Sequence, residues 1–264
     1  MRDPLLALLA LAVSASASRV PLAEAERLVG ALFPGGPGDA LGSRNAAAFS
    51  HRLSLGRVAQ LGPDMVYRPG MLGGDVDTAL TYGEYNLDFF ARLVDVALGG
   101  ASLPGYADDD GTPVAGKAFV DVGSGCGRLV FAASYLWPQL RTCVGIEKVR
   151  SLHELAVKAE AAGTPEMEAA PRTFLLGDAN ELLGTIDADV AFAYCSTWPS
   201  IGDELTTFSS MCGRHLRRGS RVVTTDRKLA DDADGEYSFR LLEAFDGTNA
   251  ETGGTSTGYV WEVA

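Results

Sequence analysis

Between Ala118 and Arg128 the chain reads AFVDVGSGCGR: an apolar run broken by one acid, then glycine at 123, 125 and 127. A short apolar run of this kind is a strand buried on both faces. Spaced glycines let the backbone turn sharply and come close to a ligand. Helical spacing resumes from Arg128 to Trp137 and stops before Pro138. The stretch is a strand, a tight turn and a helix whose free N–H groups face the turn.

The rest of the chain is ordered around this unit. Downstream, strands are expected at Thr142–Ile146, Arg172–Leu176, Asp189–Tyr194 and Ser220–Thr225. Helices fall between them at Ser151–Ala162 and Ile201–Leu216. Two further strands, Tyr237–Phe245 and Thr257–Val263, have no helix between them and read as a hairpin across the Gly-rich loop Gly247–Gly254. Alternation of strand and helix implies a parallel sheet, because parallel strands need crossover connections. The fold class is therefore α/β: a doubly wound, mostly parallel seven-stranded sheet ending in an antiparallel hairpin. Such sheets bind ligands beyond the C-terminal ends of their strands.

Upstream lies a helical N-terminal segment. Pro21–Phe33 and Asn45–Leu61 have helical spacing, Gly62–Thr78 reads as loop, and Leu87–Leu98 is a clear amphipathic helix followed by a loop from Gly99 to Gly116. Leu5–Val13 is an apolar run after Arg2 and before Ala15-Ser16-Ala17, the pattern of a secretory or organelle-targeting segment, with Asp3 against it. The expected organisation is a targeting segment at 1–18, a helical extension at 19–80 and the α/β domain at 81–264. No apolar run is long enough to span a membrane.

Composition removes several functions. The net charge of −12 disfavours strong nucleic-acid binding, which needs clustered Lys and Arg. The four cysteines, at 126, 143, 195 and 212, form no CxxC pair, and with three histidines no metal spacing exists. Cys126 and Cys195 have no His nearby in sequence to serve as a base for nucleophilic work.

The strand ends carry the candidate chemistry. A dinucleotide fingerprint G-x-G-x-x-G would need glycine where Arg128 stands. An acid followed by G-x-G-x-G fits instead a methyltransferase cofactor loop, which has no pyrophosphate to cradle. Asp121 can serve the cationic end of a methionine moiety, or hold the turn by accepting its N–H groups. Glu147 closes the second strand, where a carboxylate can accept from both ribose hydroxyls; the alternative is a surface Glu paired with Lys148 or Arg150. Asp178, in Gly177-Asp178-Ala179, can receive the adenine amine or cap the following helix.

DVGSGCG, GIE and GDA in this order resemble class I S-adenosylmethionine-dependent methyltransferases. With Thr81-Tyr82-Gly83-Glu84 upstream, FVDVGSGCGRLVFAAS and VGIEK look like the catalytic domain of the disruptor-of-telomeric-silencing family of histone-lysine methyltransferases. The similarity runs from about Thr81 to Lys228. It implies S-adenosyl-L-methionine as cofactor and a loop, with Tyr82 and Glu84, closing over the methionine half. It implies cofactor contacts at Asp121, Gly123, Ser124, Gly125, Gly127 and Lys148, a ribose contact at Glu147, and adenine contacts at Asp178 and Ala179. A nuclear location would follow from that family, against the secretory or organelle location that the N-terminus suggests.

After the fourth strand that family carries a pair of Asn residues and aromatics lining a lysine channel. Here Tyr194 and Cys195 stand in place of the pair, followed by Ser196, Thr197, Trp198 and Pro199. Tyr82, Tyr194 and Trp198 are the expected catalytic walls, favouring a neutral lysine by penalising its charge. Tyr194 and Trp198 read equally well as core aromatics at a strand end. The acceptor is a protein, histone or other, or a small molecule. A scaffold that binds cofactor without catalysis is the third reading.

Overall fold

The computed structural model describes residues 20–35, 42–61, 81–99, 114–163, 168–249 and 253–264, with side chains of the 42–61 segment described from 47 to 56. The targeting segment read at 1–18, the loop read at 62–78 and most of the loop read at 99–116 lie outside the described residues.

Among the described residues three helices precede the sheet: α1 (Leu22–Leu32), α2 (Gly42–Leu61) and α3 (Leu87–Ala97). The side chain of Asn86 accepts from the Phe89 N–H at 2.9 Å and starts α3 at a fixed point. Alternation then runs β1 (Ala118–Val122), α4 (Arg128–Leu136), β2 (Thr142–Glu147), α5 (Arg150–Ala162) and β3 (Arg172–Leu176). It continues through the single turn α6 (Ala179–Leu182), a 3₁₀ turn at Leu183–Thr185, β4 (Val190–Ala193), α7 (Thr206–His215) and β5 (Arg221–Thr225). The hairpin β6 (Phe239–Thr248) and β7 (Thr255–Val263) closes the order.

The seven strands form one sheet in the order β3-β2-β1-β4-β5-β7-β6. All neighbours from β3 to β5 are parallel, and β7 pairs antiparallel with both β5 and β6. This is the doubly wound, mostly parallel arrangement ending in an antiparallel hairpin that the alternation predicts. The order reverses beside β1, whose neighbours are β2 and β4, so a crevice opens at the C-terminal ends of these strands.

Period-2 alternation sends side chains of one strand to opposite faces. Phe119 packs with α1, α3 and α4, while Val120 and Val122 pack with the 3₁₀ turn and α7. On the first face α3 buries Phe89, Phe90, Leu93 and Val94 against the sheet. Each contributes about 1.5–3 kcal/mol of burial to the packing on that face.

Two expectations are corrected. Helix α7 begins at Thr206, not at 201, because Gly202 turns the chain at φ 63° and Ile201 bridges back to Glu204, which pairs with Lys228. The hairpin strands are longer than expected and the connecting loop correspondingly shorter. Backbone pairing from Phe245 with Gly258 to Thr248 with Thr255 carries the ladder through Gly247, and a register shift falls between Leu241 and Glu243.

Candidate functional site

A cavity of about 310 Å³ opens over the ends of β1, β2 and β4. That is the size of a small-molecule site. The turn after β1 forms its floor. Gly123, Gly125 and Gly127 all have positive φ, and the N–H groups of Gly123 and Ser124 donate to the Ile146 carbonyl at 2.9 Å. The turn is thus held by the neighbouring strand. The alternative in which Asp121 holds it does not occur for these two groups.

Gly125 shows why glycine is needed. At φ 56°, a side chain would be strained, and a Cβ there would sit 2.5 Å from a ring carbon of Tyr82. The Tyr82 ring lies flush against the turn.

Asp121 is buried at the cavity wall. Burial, reinforced by the nearby Glu147, pushes its carboxyl up to about 8. No hydrogen bond to the Asp121 carboxylate is found among the described residues, so a buried acid faces the cavity without a donor. Glu147 is also buried, but differently placed. One oxygen accepts from the Gly125 N–H at 2.6 Å and the other from the Val149 N–H at 2.6 Å. Burial raises its pKa, and these N–H groups work against that rise. The alternative of a surface Glu paired with Lys148 or Arg150 does not occur.

Lys148 is exposed and pairs with Asp178 at 3.1 Å. Asp178 also caps α6, accepting from the Asn180 N–H at 2.9 Å, and this bond holds its carboxyl below the usual range. The capping alternative is realised. Even so, Asp178 and Ala179 both line the cavity, as do Lys148, Ser124 and Gly123. Of the residues expected at a cofactor, Gly127 alone is absent from the wall. It occupies the N-cap of α4 at φ 84° instead.

Opposite the turn stands the segment Thr81–Tyr85. The Tyr82 hydroxyl lies 2.8 Å from a Glu84 oxygen and 3.0 Å from the Cys126 sulfur. Glu84 is buried and bridges Arg52 at 2.5 Å and Arg128 at 3.6 Å. Burial raises the Tyr82 phenol well above its ordinary value and the Cys126 thiol to about 11, so both are neutral at physiological pH.

Tyr194 and Trp198 both reach the cavity wall. Tyr194 packs on Tyr85 with ring centroids 4.9 Å apart, and Trp198 stands edge-on to Phe208 at 5.2 Å. Each is therefore both packed and cavity-facing, which joins the two alternatives. The segment between them is pinned from behind. Ser196 donates to Asp226, which also accepts from the Ser256 hydroxyl at 2.8 Å and the Thr257 N–H at 2.8 Å. Asp226 is the one non-glycine residue with positive φ among the described residues, at 59°. Cys195 is buried and bonded to Thr225, and burial raises its thiol to about 12.

Sequence reasoning passed over four contributors. Arg52 is distant in the chain, and Asp226 and Tyr85 belong to no motif. Arg128 served only to exclude a dinucleotide, yet it lines the cavity and donates to the Tyr85 carbonyl at 2.6 Å. The run Tyr82-Gly83-Glu84-Tyr85 was the available signal for Tyr85.

The sequence matches no protein-family model and no curated protein. Among solved structures, the fold is similar to the arsenic(III) S-adenosylmethionine methyltransferase of Chlamydomonas reinhardtii, at 14% identity, 56% coverage of this chain and a TM-score of 0.39. The chain spans 64% of that algal protein. It is also similar to the rRNA methyltransferase aviRa of Streptomyces viridochromogenes, at 14% identity, covering 65% of this chain and 92% of that one, with a TM-score of 0.42.

Proposed function

We propose that the protein is an S-adenosylmethionine-dependent methyltransferase. The observation that carries this reading is Asp121: a buried carboxylate without a donor, facing a cavity floored by a glycine turn. Ionising a buried acid of this kind calls for a cationic partner. The methionine ammonium of the cofactor supplies one, and binding it restores the ionised form of Asp121. Glu147 keeps lone pairs beyond its two backbone bonds and stands where ribose hydroxyls would donate. Asp178 and Ala179 take the adenine edge.

When bound, the cofactor supplies an electrophilic methyl group for direct displacement. The chain's own contribution is placement and exclusion of water. Tyr82 seals the turn. Tyr194 and Trp198 form apolar walls at which an incoming amine loses its proton more readily, because burial penalises its charge. The acceptor in this reading is a lysine side chain of a basic protein, drawn by a chain of net charge −12. A small-molecule acceptor is the second reading, favoured by Tyr194 and Cys195 standing where the resembling family carries its Asn pair.

Calorimetry with S-adenosylhomocysteine tests the cofactor. Micromolar binding that weakens in Asp121→Ala is expected, and absence of binding to the unaltered chain sinks the reading. Transfer of a tritiated methyl group to free histones, compared with a small-molecule fraction of cell extract, separates the two acceptors.

A further inference from the structure

None of the described side chains of α2 touches the cavity wall, yet this helix grips the segment that does. Arg52 is 5% exposed and reaches across to Glu84 at 2.5 Å. Its Nη1 donates to the Pro34 carbonyl at 3.0 Å, which ties the end of α1 into the same contact. One turn further along α2, Gly56 lies against Tyr82. A Cβ at Gly56 would fall 2.5 Å from the Tyr82 Cβ, so no larger residue fits without moving that tyrosine. Tyr82 is therefore held from both sides, by Gly56 of α2 and by Gly125 of the turn. Its hydroxyl closes the circuit through Glu84.

A buried ion pair is a poor source of stability. Removing Arg and Glu from water costs several kcal/mol each, and apolar replacements are often as stable. What such a pair supplies is a fixed geometry. Arg52 also retains a buried Nη2 with no hydrogen-bond partner among the described residues.

We propose that Arg52 is a positioning residue of the cofactor site, and that α2 is the outer half of a clasp whose inner half is Tyr82. Docking of α2 and occupancy of the cavity are then coupled, and the coupling is reciprocal. A ligand in the cavity fastens α2, and anything that lifts α2 loosens the ligand. This rests on the cavity being an S-adenosylmethionine site. The clasp covers the turn, so it acts on the amino-acid half of the ligand and not on the nucleoside half at Glu147 and Asp178.

The test uses the full chain, S-adenosylhomocysteine and adenosine. In hydrogen exchange, S-adenosylhomocysteine should slow the amides of α2, although none of its described side chains lines the cavity. In calorimetry, Arg52→Leu should bind S-adenosylhomocysteine about 10-fold more weakly or worse, within the usual span of coupling between sites. Arg52→Lys should recover part of that loss, and adenosine should bind all three proteins alike. The proposal is overturned if α2 exchanges at the same rate with and without ligand, or if Arg52→Leu binds S-adenosylhomocysteine as the parent does. Equal loss of both ligands, in step with a lowered Tm, would make Arg52 structural only and also overturns it. If the unaltered chain binds adenosine and not S-adenosylhomocysteine, the cofactor reading fails and this proposal fails with it.

Discussion

The carboxylate of Glu147 reaches from the end of β2 to the Gly125 N–H, 2.6 Å away in the turn after β1. One side chain thus fixes two adjacent strand ends at the spacing the cavity requires. Its second oxygen takes the Val149 N–H at the entrance to α5.

Glu147→Ala should weaken S-adenosylhomocysteine binding by about 1–3 kcal/mol, because two buried N–H groups lose their acceptor along with any ribose contact. Calorimetry measures the affinity and urea unfolding the accompanying loss of stability. Unchanged affinity would show that the carboxylate serves the backbone alone.

Asp121 makes both stability and binding depend on pH. The folded chain holds the proton up to about pH 8, while the unfolded chain releases it near 3.8. The contribution of the neutral acid is complete below the lower value and drains away as pH rises through the higher one. Asp121→Asn should flatten that slope, by an amount on the order of a few kcal/mol between pH 5 and 8. Cofactor binding near pH 7 should release a proton, read as a dependence of the calorimetric heat on the buffer. A heat independent of buffer contradicts the pairing of Asp121 with the ligand's ammonium.

Gly125→Ala should cost about 1–2 kcal/mol from its left-handed backbone. The collision with Tyr82 adds to this. Combining it with Tyr82→Ala should cost less than the two single changes summed, since the collision is then gone. Strict additivity in urea unfolding would mean that the ring and the turn do not meet.

Replacing Asp226 separates backbone from side chain. Asp226→Ala and Asp226→Gly both lose the bonds from Ser196, Ser256 and Thr257. Glycine also relieves the positive φ, so it should be the more stable of the two by about 1–2 kcal/mol. Equal stability would place that residue in an ordinary backbone conformation.

How much of this could be read from the sequence depended on distance along the chain. The strands, the turn and the acids at 121, 147 and 178 sit in short apolar patterns with glycine beside them, and local spacing sufficed. Period and punctuation also revealed the hairpin, though not its register shift, which depends on how β6 meets β7. The Arg52 contact with Glu84 joins residues 32 positions apart in the chain, and no periodicity encodes it. Glu147 was legible as an acid at a strand end. That its oxygens turn to backbone N–H groups follows only from the parallel pairing of β1 and β2. Asp226 was invisible, because a left-handed aspartate in a loop carries no sequence mark.

The position of β7 between β5 and β6 also makes the sheet depend on the last-made part of the chain. The parallel strands can pair as they leave the ribosome, but β5 keeps an open edge until Thr255–Val263 has been made. Until then Val222 and Val223, fully buried in the finished sheet, lie at an unpaired edge beside an incomplete core. The segment from Tyr194 to Trp198 gains its backing last for the same reason, since Asp226 meets Ser256 and Thr257 only when that strand docks. In a nascent chain the residues that brace the glycine turn, Ile146 and Glu147, are made well before Ser256 and Thr257, which back the wall opposite.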